Sequence, residues 1–515
     1  MTDEIDITES LDPLFNPRSV AVIGATNNMN KWGNSSFASA LNGFKGPVYP
    51  INNKEDVVLG HQAYKRVTDV PDDKPVDLAV FVIPAPFIPS VMQDCVDKGV
   101  KAGVIISAGF AEVGPEGQKL QDEVMAIARK GGIRIVGPNC MGFWSSSSDL
   151  RAFMFPLPVF AGPIAFVSQG GNVGGAIVGS GYSRGIGFRR YISCGCTADI
   201  QIEDYIEHFG NDSEVKVILA YIEGVNDGKR FIEKVSKVST KKPIIALKPG
   251  KTDAAAKAIS CHSGALSGSE NIYDAAFKKA GIMRAETPEE LLDYAVGFLT
   301  QPLPRGRRTA IVTPGGSYGV LCADECAYLG LDVIDLPEET INDFNKIFPP
   351  RWSHGNPVDP AGDRNFPAYF RAPSMLLRQD IVDSLIFMGF GNFSGMAETF
   401  TKALSSGDDS GGFAKMMQDI IPQIGSGFTG QIMRWIRSFK KPVLTTTFSE
   451  ETPTLQDGQH QSYPSADRAA KVLAKLVEYK EYLESQGHYE NKEFDPFEFW
   501  WAGQNMEKTK KESKK

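Results

Sequence analysis

One histidine lies within a run of small residues, SCHSGALSG at positions 260–268. A neutral imidazole is a good nucleophile, and an unperturbed pKa of about 6.5 keeps it mostly neutral near neutral pH. Hydroxyl and backbone N–H groups of the neighbouring serines and glycines could hold a phosphate against the ring. The run therefore suggests a phosphoryl carrier at His262, although a turn between two helices with an incidental histidine explains the same residues.

The secondary structure predicted around this run indicates the kind of fold in which it lies. Helices are predicted over 253–259 and 269–280, and short β-branched segments alternate with helices along most of the chain. This alternation is typical of mainly parallel sheets covered by helices on both faces. We predict an α/β fold of three successive βα domains, at 1–150, 151–300 and 301–485, with a charged tail at 486–515.

Two strand-to-helix turns and one acid suggest further chemistry. Gly24 follows the predicted strand 19–23, where a phosphate could approach backbone N–H groups, but the full GxGxxG spacing is absent and a tight turn explains it too. The turn at 168–172, SQGGN, also has N–H groups free for a phosphate. Glu223 follows the predicted strand 217–221 and is either a catalytic carboxylate or a helix-capping acid.

Composition excludes several classes of protein. A net charge of −8 argues against nucleic acid as the main partner. No apolar run approaches the roughly 20 residues that cross a bilayer, and the acidic start does not resemble a signal peptide. The seven cysteines are odd in number and have no paired metal spacing, which favours free thiols in a reducing cytoplasm. The other histidines also lack metal-ligand spacing, so no metal site is predicted.

Five segments in order resemble the NDP-forming acyl-CoA synthetases, the superfamily that includes succinyl-CoA synthetase. Besides CHSGALSG at 261–268, they lie at 14–25, 137–142, 167–171 and 356–359. The resemblance extends over roughly residues 11–483. It implies a Rossmann-like CoA-binding domain followed by two flavodoxin-like domains.

The resemblance also implies roles for individual residues. His262 would carry the phosphoryl group, and Glu223 would orient its ring. Phosphate would be held by Ser168, Gly170, Gly171, Asn172, Ser263 and Gly264. CoA would be held by Gly24, Thr26, Asn27, Lys54, Pro84, Ser107 and Ala108. An ordinary surface lysine remains an alternative for Lys54.

The implied reaction interconverts acyl-CoA, phosphate and NDP with carboxylate, CoA and NTP, through an acyl phosphate and phosphohistidine. Three βα blocks and a short tail account for all 515 residues, so no ATP-grasp module is expected here. ATP or GTP and Mg²⁺ would then bind a separate β-type subunit, in an α2β2-type hetero-oligomer. A catalytically silent CoA-binding subunit and a CoA acyltransferase without nucleotide chemistry remain alternatives.

Two positions depart from the family pattern and suggest the acyl pocket. Cys196 stands where family members commonly have asparagine, and Gly175 stands where succinyl-CoA synthetase has a substrate-contacting tyrosine. Loss of that ring leaves space. We therefore expect an acid that is bulkier or less polar than succinate.

Overall fold

A computed structural model describes residues 7–255, 257, 270–363, 366–389, 428–447, 455 and 460–489. His262, Ser263 and Gly264 lie outside the described residues. The chain divides into two compact units. Unit 1 comprises Met1–Tyr182 and Gly187–Leu291, and unit 2 comprises Ser183–Ile186 and Leu292–Lys515.

The first sheet of unit 1 has five parallel strands. They are β1 (Val20–Ile23), β2 (Val48–Ile51), β5 (Leu78–Phe81), β6 (Ala102–Ile105) and β7 (Arg134–Val136), in the order β2-β1-β5-β6-β7. A two-stranded hairpin, β3 (Val57–Val58) and β4 (His61–Gln62), stands beside them. The helices of this region are α1 (Ile7–Phe15), α2 (Trp32–Leu41), α3 (Ile88–Lys98) and α4 (Pro115–Lys130), with 3₁₀ turns at Val67–Asp69, Ala85–Phe87 and Ala111–Val113.

The second sheet of unit 1 has seven strands, five in a parallel set and two more added at one edge through antiparallel pairings. They are β8 (Gly142–Ser145), β9 (Leu150–Phe153), β10 (Ala161–Ser168), β11 (Phe188–Ser193), β12 (Val217–Tyr221), β13 (Ile244–Leu247) and β14 (Ile282–Ala285), in the order β14-β13-β12-β10-β11-β8-β9. The accompanying helices are α5 (Gly171–Ser183), α6 (Ile202–Asn211), α7 (Gly228–Ser239) and α8 (Glu270–Ala280), and α9 (Pro288–Thr300) begins in unit 1 and continues into unit 2. The antiparallel pair β8–β9 joins this sheet, so the domain boundary predicted at residue 150 falls at the start of β9.

Unit 2 contains a third sheet with five parallel strands. They are β15 (Arg308–Val312), β16 (Asp332–Val333), β17 (Ser384–Phe387), β18 (Val443–Thr446) and β19 (Ser462–Tyr463), in the order β16-β15-β17-β18-β19. Its helices are α10 (Gly316–Tyr328), α11 (Glu338–Asn345), α12 (Phe366–Leu377), residues 428–439 and α13 (Ala466–Ser485). None of the helices in the described ranges is both long and apolar enough to cross a membrane.

Local sequence explains where several helices begin and end. Asp227 caps α7 by accepting hydrogen bonds from the backbone N–H groups of Lys229 and Arg230. α3 ends at Gly99, whose φ of 79° is the left-handed conformation that glycine adopts without strain. These local signals set the helix ends, and burial of the apolar faces stabilises the helices.

The strand order confirms the predicted fold class. Numbered along the chain, the parallel strands of each sheet follow the order 2-1-3-4-5 of doubly wound α/β folds. β1, β5 and β6 are buried along their whole length, as expected for strands covered on both faces. Ligands of such sheets bind at the carboxyl ends of the strands, where the order reverses beside the first strand.

Candidate active site

Unit 1 contains a cavity of about 1820 Å³ that touches the carboxyl ends of strands from both of its sheets. From the first sheet it meets residues that end or follow β1, β2, β5 and β6. From the second it meets the turn after β10 and the residues that end β12. The strand order reverses between β1 and β5 in the first sheet and between β10 and β12 in the second. Folds of this type bind ligands at such a reversal, and the cavity is in contact with both of them.

The turn between β1 and α2 is shaped by two glycines. Gly24 has a φ of 95°, and a Cβ at this position would lie 2.5 Å from the carbonyl oxygen of Val82. A Cβ at Gly33 would overlap the carbonyl oxygen of Gly24. The two glycines thus provide the tight turn and the close helix packing that the GxGxxG motif provides in other nucleotide-binding folds, at a longer spacing.

Gly33→Ala is expected to push α2 away from this turn. Overpacking should lower the free energy of unfolding by about 1–3 kcal/mol, and the displaced turn should weaken CoA binding roughly tenfold to 100-fold. Urea unfolding and calorimetric titration with CoA would measure the two effects. Gly179→Ala is the matched control, because a Cβ there meets open space. Equal behaviour of the two variants would contradict the packing role of Gly33.

Glu55 fixes the same turn from the segment that follows the neighbouring strand β2. Its carboxylate accepts hydrogen bonds from the hydroxyl of Thr26 and from the backbone N–H and side-chain amide of Asn27, the backbone contact being 3.0 Å long. The Thr26 hydroxyl, followed by the Asn27 backbone N–H, lowers the pKa of Glu55 below its ordinary value. Thr26 and Asn27, two predicted CoA contacts, are therefore held in place by an acid that the sequence motifs did not reveal.

Glu55→Gln is expected to loosen this turn. An amide offers one acceptor oxygen instead of two, and its NH₂ group would face the donors of Thr26 and Asn27. We expect the KM for CoA to rise roughly tenfold with kcat little changed, since charge-assisted hydrogen bonds contribute about 1.5–3 kcal/mol each. Steady-state kinetics would test this. Asp56→Asn is the control, because Asp56 is exposed and pairs only with Lys65 among the described residues. An unaltered KM in Glu55→Gln would contradict the positioning role.

Among the described residues, four cations line the cavity: Lys31, Lys54, Lys65 and Arg66. Lys65 pairs with Asp56, and Arg66 pairs with Asp94. Lys54 forms no ion pair with any described residue, and its backbone N–H is fixed by the side chain of Asn52 at 2.8 Å. Its ammonium group is thus available for an anionic ligand.

The turn after β10, residues 168–172, leaves its backbone open to close approach by a ligand. The buried Ser168 hydroxyl donates to the carbonyl oxygen of Gly170 at 2.7 Å, so this side chain stabilises the turn. A Cβ at Gly170 would lie 2.8 Å from the ring of Tyr221, and one at Gly171 would lie 2.6 Å from the sulfur of Met141. A Cβ at either position would force the neighbouring Tyr221 or Met141 side chain to move. Helix α5 begins at Gly171, with its N-terminus at the cavity.

Gln169 ties this turn to the segment that holds Glu223. The Gln169 Oε1 atom accepts hydrogen bonds from the backbone N–H groups of Glu223 and Gly224, at 2.5 and 2.9 Å. Its Nε2 donates to the carbonyl oxygen of Gly224 at 3.0 Å. Glu223 itself is 6% exposed and lines the cavity. The fold therefore places this carboxylate beside the glycine turn, just after the end of the neighbouring strand β12.

The structure brings most of the predicted site residues together. Those that line the cavity are Gly24, Thr26, Lys54, Pro84, Ser107, Ala108, Gly170, Gly171, Asn172 and Glu223. Four described ones do not line it: Asn27, Ser168, Gly175 and Cys196. Lining residues that sequence reasoning missed include Trp32, Glu55, Met141, Met154, Phe155 and Tyr221. Met141 and Gln169 lay within recognised motifs, at 137–142 and 167–171, but the others had no distinguishing local signal.

Neither of the two positions predicted for the acyl pocket, Gly175 and Cys196, lines the cavity. A Cβ at Gly175 would meet open space within 4 Å. The Cys196 sulfur lies 4.0 Å from a carboxylate oxygen of Glu112, and burial, followed by Glu112, raises the pKa of Cys196 to about 12. Asn356, in the motif at 356–359, uses its amide to hold the backbone of Thr309, Ile311 and Ile334. A structural turn therefore accounts for that motif.

Comparison with known families agrees with this arrangement. A model described as "CoA binding domain" matches residues 18–145. "Succinyl-CoA ligase like flavodoxin domain" matches residues 161–298, and "Ligase-CoA domain" matches residues 309–399. Residues from the CoA-binding domain and from the flavodoxin-like domain line the two sides of the cavity.

Individual relatives cover most of the chain. Subunit alpha of ADP-forming acetate–CoA ligase II from Pyrococcus furiosus is 43% identical over 390 residues, which are 76% of this chain and 84% of that relative. ADP-forming 4-hydroxybutyrate–CoA ligase from Nitrosopumilus maritimus is 33% identical over 92% of this chain and 65% of its own length. A solved structure, the dinucleotide forming acetyl-coenzyme A synthetase 1 of Ca. Korarchaeum cryptofilum with phosphate and ADP, superposes with a TM-score of 0.77 at 31% identity, covering 92% of this chain and 97% of that one. The chain therefore belongs to the NDP-forming acyl-CoA synthetases, as an α-type subunit of an acid–CoA ligase.

Proposed function

We propose that the cavity is where CoA, phosphate and the acid react. One observation carries the proposal: a single cavity touches the glycine turn of the CoA-binding domain and also the 168–172 turn with Glu223. The diphosphate of CoA would meet the backbone near Gly24 and the ammonium group of Lys54. The thioester end would reach the 168–172 turn, where phosphate would bind.

The proposed steps are nucleophilic displacements. A phosphate oxygen attacks the thioester carbonyl, the C–S bond breaks, and CoA leaves as the thiolate, which gives an acyl phosphate. A ring nitrogen of His262 then attacks the phosphorus atom, and the P–O bond to the acyl group breaks to release the carboxylate. Glu223 would hold the other ring nitrogen, fixing the tautomer and stabilising the cation that forms. Ser263 and Gly264 would contact the transferred phosphoryl group.

The second half of the reaction needs a partner. An NDP oxygen attacks the phosphohistidine, and the P–N bond breaks to form NTP. We place the nucleotide, ATP/ADP or GTP/GDP, and Mg²⁺ on a separate ATP-grasp β-type subunit. Acetate and 4-hydroxybutyrate appear in the names of relatives, which supports a small carboxylic acid as the substrate here. The α2β2 stoichiometry and the cytoplasmic location stay predictions.

The test is to purify the full chain with its co-purifying subunit and supply acid, CoA and ATP. We expect acyl-CoA, ADP and phosphate, formed only when the β-type subunit is present. AMP and pyrophosphate as products would overturn the proposal. CoA exchange between acids that needs no nucleotide and survives His262→Ala would favour the acyltransferase alternative, and CoA binding without any turnover would favour the silent subunit.

A further inference from the structure

A buried lysine follows strand β13, next to the segment that holds Glu223. β12 and β13 pair in parallel with Tyr221 opposite Leu247, and the backbone N–H of Ile222 donates to the carbonyl oxygen of Leu247 at 3.1 Å. Lys248 comes directly after Leu247 and is 2% exposed. Lys248 and Glu223 therefore follow neighbouring strand ends at the same edge of the sheet.

The ammonium group of Lys248 forms no ion pair with a described residue. Its Nζ atom donates to the carbonyl oxygen of Pro249 at 2.7 Å and lies over the ring of Tyr273, 4.5 Å from the ring centre. A carbonyl group and a ring face attract a cation but carry no net charge. Burial lowers the pKa of Lys248 below its ordinary value, and the carboxylates of Glu270 and Glu223 oppose that shift. The charges of Lys248 and Glu223 therefore interact through the protein interior.

Tyr273 connects Lys248 to the segment that holds Glu223. Its hydroxyl oxygen accepts a hydrogen bond from the backbone N–H of Val225 at 3.2 Å. Gln169 accepts from the two preceding N–H groups, so side chains hold three successive N–H groups of this segment. Tyr273 thus holds the Lys248 cation with its ring and the Glu223 segment with its hydroxyl group.

Arg284 keeps the helix of Tyr273 beside Lys248. Arg284 lies on β14 and donates to the carbonyl oxygen of Lys248 at 3.4 Å. It also pairs with two acids of α8, with Glu270 at 2.5 Å and with Asp274. Tyr273 lies on the same helix. The α8 carboxylates therefore pair with Arg284 and not with Lys248.

We infer that Lys248 is a positioning residue for Glu223, and that its buried ammonium group supplies the positive charge that allows the Glu223 carboxylate to lie beside bound phosphate. Two anions at one site repel each other, and an isolated carboxylate is costly to bury. Lys248 does not line the cavity, so it acts through Glu223 and does not touch the reactants. The inference rests on the proposed function, which places phosphate at the 168–172 turn and assigns Glu223 to orienting His262.

A double-mutant cycle tests whether Lys248 acts through Glu223. We would measure kcat for ligation in wild type, Lys248→Met, Glu223→Gln and the double variant, each with the co-purified subunit at saturating acid, CoA and ATP. Lys248→Met should lower kcat roughly tenfold to 100-fold in the wild-type background, because the carboxylate loses a nearby opposite charge. In the Glu223→Gln background the same substitution should change kcat less than about threefold. Equal losses in both backgrounds would show a structural role only and would overturn the inference.

Lys248→Gln is a second variant that decides the same comparison if Lys248→Met does not fold. It removes the charge but keeps a polar group at the end of the side chain. Its kcat should fall as far as that of Lys248→Met, since the loss follows the charge. A wild-type kcat in Lys248→Gln would overturn the inference.

Lys242→Met is the matched control at the opposite end of β13. Lys242 also donates from Nζ to backbone carbonyl oxygens, those of Phe209 and Asp212, and it does not line the cavity. Its loss should lower the free energy of unfolding but leave kcat within about twofold of wild type. A loss of kcat equal to that of Lys248→Met would contradict a role specific to Lys248.

Glu223→Gln by itself separates this inference from the proposed function. If Glu223→Gln lowers kcat and Lys248→Met does not, the inference alone is overturned. If Glu223→Gln keeps the wild-type kcat, the role of Glu223 in the proposed function is wrong, and the inference is overturned with it.

Discussion

His262→Ala is expected to abolish phosphoryl transfer while leaving CoA binding intact. None of the described histidines lines the cavity, so no described ring is placed to replace His262 as the nucleophile. Loss of a covalent nucleophile should lower NTP-dependent ligation by at least about 10⁴-fold. The residues proposed to hold CoA lie on the first sheet, so the dissociation constant for CoA should change less than threefold.

The measurement is γ-labelled ATP added to the chain with its co-purified subunit. Wild type should acquire base-stable, acid-labile label, and His262→Ala should acquire none. His61→Ala is the control, because His61 is an exposed residue on β4 that does not line the cavity. Label that persists in His262→Ala would exclude the proposed carrier, and absence of label in wild type with the subunit present would exclude a phosphohistidine altogether.

Glu223→Gln is expected to lower kcat by about 10²–10⁴-fold with little change in the KM for CoA. The substitution keeps the size of the side chain but removes the charge that would stabilise the cation on the histidine ring. The contact from the Glu223 backbone N–H to Gln169 does not depend on the side chain, so the local fold should survive. Glu223→Asp should recover part of the lost rate.

Glu233→Gln is the control for loss of a carboxylate. Glu233 lies on α7 with 64% of its side chain exposed and pairs with Lys237. Its kcat should stay within twofold of wild type. A tenfold rise in the KM for CoA without loss of kcat in Glu223→Gln would show that Glu223 contributes to CoA binding instead of orienting the histidine.

The parallel strands were the most predictable part of the fold. β12 has the predicted bounds, since strands buried on both faces are continuous apolar runs in the sequence. The antiparallel pair β8–β9 and the short strand β19 were missed. β19 has only two residues, too few for a periodic pattern to stand out from the surrounding loops.

Site residues could be predicted where their role depends only on residues adjacent in the sequence. Glycines beside a strand end, as in the 168–172 turn, indicate backbone exposed to a ligand, because a side chain there would block the approach. Gly24 was found in this way. Gly33 was not assigned a role, because its effect depends on how closely α2 packs against β1 and not on its spacing from Gly24.

The sequence alone therefore determined the fold class, the βα order and the glycine turns, because each depends on neighbouring residues. Only the tertiary structure showed that Glu55 holds Thr26 and Asn27, and that Trp32 and Met154 line the same cavity. The Ser35 hydroxyl donates a hydrogen bond to the carbonyl oxygen of Met154, although the two residues are 119 apart in the chain. Such contacts have no local signature in the sequence. They depend on the order of the strands within each sheet and on which strand ends line the same cavity.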